Sequence, residues 1–196
     1  MNRKGNLLIA LLCLILTSSS LYSQFNVQAG LNSSSISFSV EGFSLETSSL
    51  VGFHAGVNYR NKIGNSFYLT PGLLFSQKGA SLEFDFGGAV EESKIKMNYI
   101  DIPVIFTYQS NPEKGFFVEG GPYFGLLLSA DADGEDVKDD FNSLDIGIGA
   151  GVGYDLGQLL LGLRYNIGLT DLAAESGEEE GSATFQVLQL FGAYKF

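Results

Sequence analysis

The sequence of 196 residues has one cysteine, Cys13, and one histidine, His54. A single cysteine provides no disulfide framework, so the folded chain has to be stabilised by its secondary and tertiary structure. A single histidine argues against a metal site built from several histidines and against a Ser-His-Asp hydrolase. Basic residues are also few, 11 against 22 acidic ones, and the net charge of −11 disfavours nucleic acid as a partner. The composition therefore predicts no cofactor, no metal site and no catalytic residue.

Long hydrophobic runs are missing as well. The run Leu7–Leu16 is too short for a membrane-spanning helix, which needs about 20 apolar residues. It follows Arg3 and Lys4 and precedes the small residue Ser23, which is the pattern of a secretory signal peptide. Any membrane residence of the exported chain then has to be through strands. We predict a cleaved signal peptide at 1–23 and one exported domain at 24–196.

What the sequence has in abundance is strict alternation of apolar residues with small or polar ones. In the run Leu144–Leu169 the apolar residues occupy every second position through two segments joined at Gly157-Gln158, which predicts a β-hairpin. The opposite face is mostly glycine, with Asp145 and Arg164 among the exceptions. Strands of about 9 to 11 residues with one apolar face and one small or polar face are the unit of a membrane-spanning barrel.

The same alternation recurs along the chain, in segments joined alternately by long polar links and by short turns. Outer-membrane barrels have this asymmetry, with short periplasmic turns and long extracellular loops. We therefore predict an all-β fold, an eight-stranded antiparallel transmembrane β-barrel of the outer-membrane type, with both chain ends on the periplasmic side. The predicted strands are 25–32, 51–60, 67–76, 99–108, 116–128, 144–156, 159–170 and 187–196, and the predicted long links include 77–93, 131–140 and 171–182.

Aromatic residues gather at the predicted periplasmic ends of these strands, as an interfacial girdle would. They are Phe25, Tyr59, Phe67, Tyr108, Phe116, Tyr154 and Phe196. Pro71, Pro103 and Pro122 fall inside predicted strands. Because each proline removes one hydrogen bond of the ladder, we expect a bulge or a bend at each of them.

Charged residues on the inner face are predicted to meet in the lumen of the barrel. An eight-stranded barrel holds little beyond its own side chains. We therefore interpret the cluster as a structural plug of ion pairs in which Arg164 lies between Glu119 and Asp101; a proton or ion pathway is the alternative. The predicted lumen cluster consists of Asp101, Glu119, Asp145, Arg164, His54 and Lys195, accompanied by Asn58 and Arg60.

Two further candidate functions, catalysis at His54 and calcium binding at an acidic loop, have weak support in the sequence. His54 has the inward parity of Gly52 and Gly56, whereas a lipid-modifying barrel enzyme of the Ser/His type needs its pair to face the lipid. The acidic segment Asp131–Asp136 has its glycine too early for a calcium loop and lacks the distant glutamate. We interpret it as a solvated loop, with divalent bridging to neighbouring lipopolysaccharide as the alternative.

Five parts of the sequence are typical of one known family: Asn98–Phe106, Gly120–Leu127, Asp145–Tyr154, Arg164–Leu169 and the terminal Phe196. Together they resemble the PorT-like family of outer-membrane β-barrels, and the likeness extends over essentially all of 25–196. The resemblance implies an eight-stranded barrel in the outer membrane of a Gram-negative bacterium and, for some family members, a part in a protein secretion pathway.

These patterns favour a non-enzymatic outer-membrane protein that acts as a scaffold or interaction protein through its acidic extracellular loops. We expect a monomer surrounded by outer-membrane lipid and lipopolysaccharide, with a protein partner at the extracellular loops or the periplasmic turns. Two alternatives stay open. One is a lipid-modifying outer-membrane enzyme, and the other is a soluble secreted barrel of the lipocalin type, in which the bulky residues would line the interior.

Overall fold

The computed structural model describes residues 24–40, 43–85, 90–172 and 181–196. The predicted signal peptide at 1–23 lies outside the described residues, as do positions 173–180 of the predicted link 171–182. Within the described ranges no helix is long and apolar enough to cross a membrane. A short 3-10 helix covers Lys138–Asp140.

Antiparallel strands make up nearly all of the described chain and form one closed sheet. Each long strand pairs with the next one along the chain, and the last pairs with the first, from Asn26 opposite Lys195 to Val40 opposite Gly181. This closure confirms the predicted eight-stranded antiparallel barrel. The long strands are β1 (Phe25–Val40), β3 (Ser48–Tyr59), β5 (Phe67–Asp85), β6 (Val90–Gln109), β7 (Gly115–Ala132), β9 (Leu144–Asp155), β10 (Leu159–Gly168) and β11 (Gly181–Lys195), and the short ones are β2 (Phe43–Glu46), β4 (Asn61–Lys62) and β8 (Glu135–Asp136).

Several strands run further on the extracellular side than the sequence predicts. The predicted link 77–93 is wrong for most of its length, because β5 and β6 continue to pair as far as Asp85 opposite Val90. In the same way β1 continues through the serine-rich stretch to Val40. The apolar alternation stops where one face of a strand no longer meets lipid, but backbone pairing does not need that alternation.

The expected bulges at the prolines are not found. The register shifts instead between Ser49 and His54 in β3 and between Asn98 and Tyr99 in β6. Near the prolines the ladder between β5 and β6, and that between β6 and β7, each lacks two residue pairs and then resumes in the same register. A missing N–H group is therefore accommodated by an interruption of the ladder without an added residue.

Large apolar side chains cover the outside of the barrel. Leu163 in the middle of β10 is 47% exposed, and Val51 and Phe116 are more exposed still. The inward positions hold polar, charged and aromatic groups, including Asn32, Asp145 and Tyr99. Because large apolar side chains cover the outer surface, where a soluble barrel would be polar, the arrangement excludes the soluble lipocalin-type alternative.

Aromatic rings form a girdle at the end of the barrel that carries the short turns, as the sequence predicts. They make four close pairs with ring centroids 4.8 to 5.3 Å apart. Amphipathic aromatic side chains are favoured at the boundary between lipid and water, so this end marks one interface. The pairs are Phe25 with Tyr59, Phe67 with Tyr108, Phe116 with Tyr154 and Tyr194 with Phe196.

Candidate functional site

The most buried cation of the described lumen is Lys78 of β5, which is 2% exposed. Its Nζ lies 3.0 Å from Asp101 Oδ1 and 3.0 Å from Asp145 Oδ2. The Tyr123 hydroxyl donates to the other oxygen of Asp145 at 3.3 Å. The rings of Tyr99 and Tyr123 lie 4.8 and 4.7 Å from the ammonium group. One cation thus serves two carboxylates in a site enclosed by aromatic rings, where unpaired charge would be costly.

A second ion pair lies nearer the periplasmic end, between Arg164 of β10 and Glu119 of β7. Arg164 Nε and Nη2 are 2.8 and 2.7 Å from Glu119 Oε1, and the guanidinium lies 5.0 Å from the Phe191 ring. Both side chains belong to residues opposite Gly151 of β9, the strand between them. Because Gly151 has no side chain, the arginine and the glutamate can meet in front of it.

A glycine likewise provides the space for the two carboxylates that bind Lys78. Asp101 and Asp145 both lie opposite Gly125 of β7, and a Cβ atom at Gly125 would come within 2.8 Å of Asp101 Oδ1. The glycine-rich inner face that the sequence shows therefore provides the space in which the large lumen side chains pack.

A third group of polar side chains contains His54 and is built from amides. His54 Nδ1 is 2.7 Å from Asn32 Oδ1, and its Nε2 is 3.2 Å from Gln28 Nε2. Asn58 donates to Gln28 Oε1 at 2.7 Å, and Gln189 donates to Asn32 Oδ1 at 3.2 Å. These contacts satisfy a neutral imidazole that donates from Nδ1 and accepts at Nε2. The histidine therefore has amide partners on both nitrogens.

Asp155 is the centre of the ion pairs at the periplasmic end. Lys195 Nζ is 2.8 and 2.6 Å from its two oxygens, and Arg60 Nη1 is 3.9 Å from Asp155 Oδ2. Arg60 also donates to Gln109 Oε1 and lies 4.0 Å from the Tyr68 ring. Side-chain exposure is 1% for Asp155 and 21% for Lys195, so this group borders the periplasmic mouth.

Above Lys78 the extracellular half of the lumen is apolar. A cluster of buried side chains fills it, with Tyr99 and Phe185 in edge-to-face contact at 5.9 Å. The members are Ile36, Ala80, Met97, Tyr99, Leu127, Ala130, Leu172, Phe185 and Val187. The cavities that remain between Arg164 and the polar groups near it measure about 30 and 10 Å³. This is room for one or two water molecules at most.

The structure brings the predicted lumen residues inside the barrel but groups them differently. Arg164 pairs with Glu119, whereas Asp101 pairs with Lys78, so the predicted position of Arg164 between two acids is wrong. The reason is that β5 continues past its predicted end and carries Lys78 into the lumen. His54 belongs to the amide network and forms no ion pair with any residue in the described part of the chain.

Two charged residues of the lumen are missing from the predicted cluster, Lys78 and Asp155. Lys78 has the inward parity of Leu74 and Ser76, so extending the alternation of that strand would have found it. Asp155 stands on the glycine face of the predicted hairpin, at its very end. With these two residues included, the described lumen contains balanced charge, four cations and four carboxylates. The cations are Arg60, Lys78, Arg164 and Lys195, and the carboxylates are Asp101, Glu119, Asp145 and Asp155.

The lumen offers no support for a Ser/His lipid-modifying enzyme. His54 is the single histidine of the chain and is 1% exposed, on the inner side of the wall. Within the part of the chain that the structure describes, no three His, Cys, Asp or Glu residues are grouped so as to hold a metal ion.

Outside the barrel, the acidic loop that follows β7 is built on an ordered turn. Asp133 and Gly134 have positive φ angles of 53° and 97°, as a two-residue hairpin turn between β7 and β8 requires. Asp133 accepts hydrogen bonds from the Ser93 hydroxyl at 2.7 Å and from the Lys94 backbone N–H at 3.2 Å. These bonds lower the pKa of the Asp133 carboxyl, so it stays charged.

Residues 17–174 match the family model of the outer membrane protein beta-barrel domain. The chain belongs to this family. Its place is therefore the outer membrane, which confirms the predicted location. None of the curated proteins compared with this outer-membrane barrel matches it.

Solved outer-membrane proteins resemble the barrel at low identity. Neisserial surface protein A is 16% identical, with 88% of this chain and 97% of that one covered and a TM-score of 0.49. Ail of Yersinia pestis, solved with the heparin analogue sucrose octasulfate, is 12% identical, with 88% and 99% covered and a TM-score of 0.45. OprG of Pseudomonas aeruginosa is 12% identical, with 90% and 97% covered and a TM-score of 0.45.

Proposed function

We propose that this outer-membrane barrel is a closed, non-enzymatic protein that acts as a scaffold or interaction protein through its extracellular loops. The observation that carries the proposal is the filled lumen. Paired charges occupy it up to the level of Lys78, apolar side chains fill it above Lys78, and the cavities left near Arg164 have room for one or two water molecules at most. A barrel without a path for solutes has its loops, turns and outer surface left for function.

The acidic extracellular loop 131–140 supports the proposal of a partner with a basic surface. Six acidic residues project from it within ten positions, and all of them are exposed. The turn at Asp133 is held against β6 by the bonds from Ser93 and Lys94, and Gly134 N–H donates to Asp131 Oδ1 at 3.2 Å. A negative surface of fixed shape attracts and orients a positively charged partner. The six residues are Asp131, Asp133, Glu135, Asp136, Asp139 and Asp140.

Two finer statements belong to the same proposal. The resemblance of Asn98–Phe106 and the other segments to PorT-like barrels supports a partner within a protein secretion pathway. The basic and apolar pattern of 1–23 supports export through a cleaved signal peptide. The intact mass of the protein purified from outer membranes tests the second statement, since it should correspond to a chain that begins at Gln24.

Photo-crosslinking in intact cells tests the interaction role. A photo-reactive amino acid placed at Glu135 reports on the extracellular loop, and the same substitution at the exposed Glu113 in a short turn is the matched control. We expect a discrete crosslinked product from position 135 that is absent from position 113. Its yield should fall when Asp131, Asp133 and Asp136 are changed together to asparagine. A product that is independent of these acids, or one formed only from position 113, would contradict an interaction through the acidic loop.

A further inference from the structure

The periplasmic mouth of the barrel contains a cavity of about 280 Å³, far larger than those deeper in the lumen. Arg60, Lys62 and Lys195 line it, together with Tyr68 and the single carboxylate of Asp155. Its position is at the end opposite to the acidic loops, so a ligand would enter it from the periplasm. The charges and hydrogen-bonding groups of the wall indicate the chemical class of this ligand.

Positive charge is in excess at this mouth. Asp155 is fully engaged, because its oxygens accept from Lys195 Nζ at 2.8 and 2.6 Å and from the Gly157 backbone N–H at 2.8 Å. Arg60 is 3.9 Å from the same carboxylate, beyond hydrogen-bond distance. Among the described residues no carboxylate forms an ion pair with Lys62. Two cations therefore remain for an anion, in a chain whose net charge is −11.

The Arg60 guanidinium is held ready for such an anion. It lies 4.0 Å from the Tyr68 ring and donates to Gln109 Oε1, and it is almost fully buried. Only one of its five N–H groups is needed for Gln109. A planar, fixed guanidinium with donors to spare suits an oxyanion, which it can bind through two parallel hydrogen bonds.

Two amide groups in the wall indicate that the anion also carries hydrogen-bond donors. Gln24 Oε1 and Asn26 Oδ1 are buried acceptors without a hydrogen-bond partner. Buried acceptors are normally paired, and a ligand with a hydroxyl group can supply what they lack after a small rotation of the amide. Inorganic phosphate near neutral pH combines negative oxygens with a hydroxyl group, whereas sulfate has no such donor. A phosphomonoester is then mostly a dianion without a P–OH group, so its donors come from hydroxyl groups of the esterified alcohol, as in glycerol 1-phosphate.

We propose that the periplasmic mouth is a binding site for a phosphate group, with Arg60 and Lys62 holding the oxyanion. The phosphate comes either as the free ion or as the end group of a soluble phosphomonoester. This site is independent of the extracellular role proposed above, because it uses the opposite end of the barrel and none of the acidic loop residues.

Isothermal titration calorimetry on the folded mature chain in an uncharged detergent tests the site. The probes are inorganic phosphate, glycerol 1-phosphate and sulfate at pH 7. We expect saturable binding of inorganic phosphate, of the ester or of both, and at least tenfold weaker binding of sulfate. Tighter binding of the ester would identify the end group as the source, and binding of inorganic phosphate alone would identify the free ion.

Three variants locate the binding. Lys62→Gln and Arg60→Gln should each weaken phosphate binding about tenfold, which is the value of one charge-assisted hydrogen bond. Lys114→Gln removes the same charge from a short turn at the same end, does not line the cavity, and should leave the affinity unchanged. Lys62 is exposed, so its variant decides the outcome if Arg60→Gln folds poorly. No saturable phosphate binding, equal affinity for sulfate, an unaffected Lys62→Gln or an equal loss in Lys114→Gln would overturn the proposal.

Discussion

Lys78 Nζ lies 3.0 Å from Asp145 Oδ2, although the two residues are 67 positions apart in the chain. Lys78 is on β5 and Asp145 is on β9, and these strands are not neighbours in the sheet. The contact therefore crosses the lumen and links two walls of the barrel. Asp101, also at 3.0 Å, binds the same ammonium group, so three buried charges depend on one another.

Replacing Lys78 by methionine should lower the free energy of unfolding by about 3 to 5 kcal/mol, because two buried carboxylates lose their cation. The measurement is urea unfolding of the barrel in lipid vesicles. Lys96→Met, at an exposed position of β6, is the control and should change stability by less than about 0.5 kcal/mol. Adding Asp101→Asn and Asp145→Asn to Lys78→Met should recover most of the loss. A loss no larger than that of Lys96→Met would show that the buried cation is not needed.

The depth of the lipid-facing surface can be tested with arginine at two positions of β10. Leu163 lies opposite Leu190, whereas Leu159 lies opposite Tyr194 of the aromatic girdle. Leu163→Arg should therefore cost about 2 to 4 kcal/mol, the value for a midplane site, and Leu159→Arg about 0 to 1 kcal/mol. Reversible folding into vesicles measures both. Equal costs would mean that the bilayer midplane does not lie at Leu163.

The glycine-rich inner face predicts that an added methyl group is not tolerated where a lumen ring packs on it. A Cβ atom at Gly162 would lie 2.5 Å from Phe191 Cζ, whereas one at Gly192 on the outer face would meet nothing closer than 3.5 Å. Gly162→Ala should cost about 1 to 3 kcal/mol through overpacking, and Gly192→Ala should be nearly neutral. Because the three atoms nearest to the added Cβ atom all belong to the Phe191 ring, Phe191→Leu should reduce the cost of Gly162→Ala. An additive double variant would contradict this packing.

Planar-bilayer recordings test the closed lumen. We expect no sustained ion conductance from the wild-type barrel, because apolar side chains fill the lumen above Lys78.

Arg164→Ala should remain non-conducting for the same reason, but it should lower the unfolding free energy, since the Glu119 carboxylate loses its partner. The loss of unfolding free energy should be about 3 to 5 kcal/mol if no water reaches Glu119, and smaller if water solvates it. The double variant Arg164→Met with Glu119→Gln should be less destabilised than Arg164→Ala, because it leaves no unpaired charge. A steady open pore in the wild-type protein would refute the closed lumen.

The amino-acid sequence by itself determined the architecture of this barrel. Lipid requires apolar side chains on the outer face of each strand, and the inner positions of the predicted strands are mostly small or polar. The resulting period of two can be read directly from the sequence, as can the alternation of long and short links. The face of each lumen residue follows from the same period, including Asp101, Glu119 and Arg164. The tertiary structure alone decided which of these charges meet, and it added Lys78 and Asp155 to them. Beyond the lipid the outer face no longer has to be apolar, so the apolar alternation does not mark where a strand ends. Partners across the lumen are set by strand tilt and register. For that reason Lys78, beyond the predicted end of its strand, takes the two carboxylates that no local pattern could assign to it.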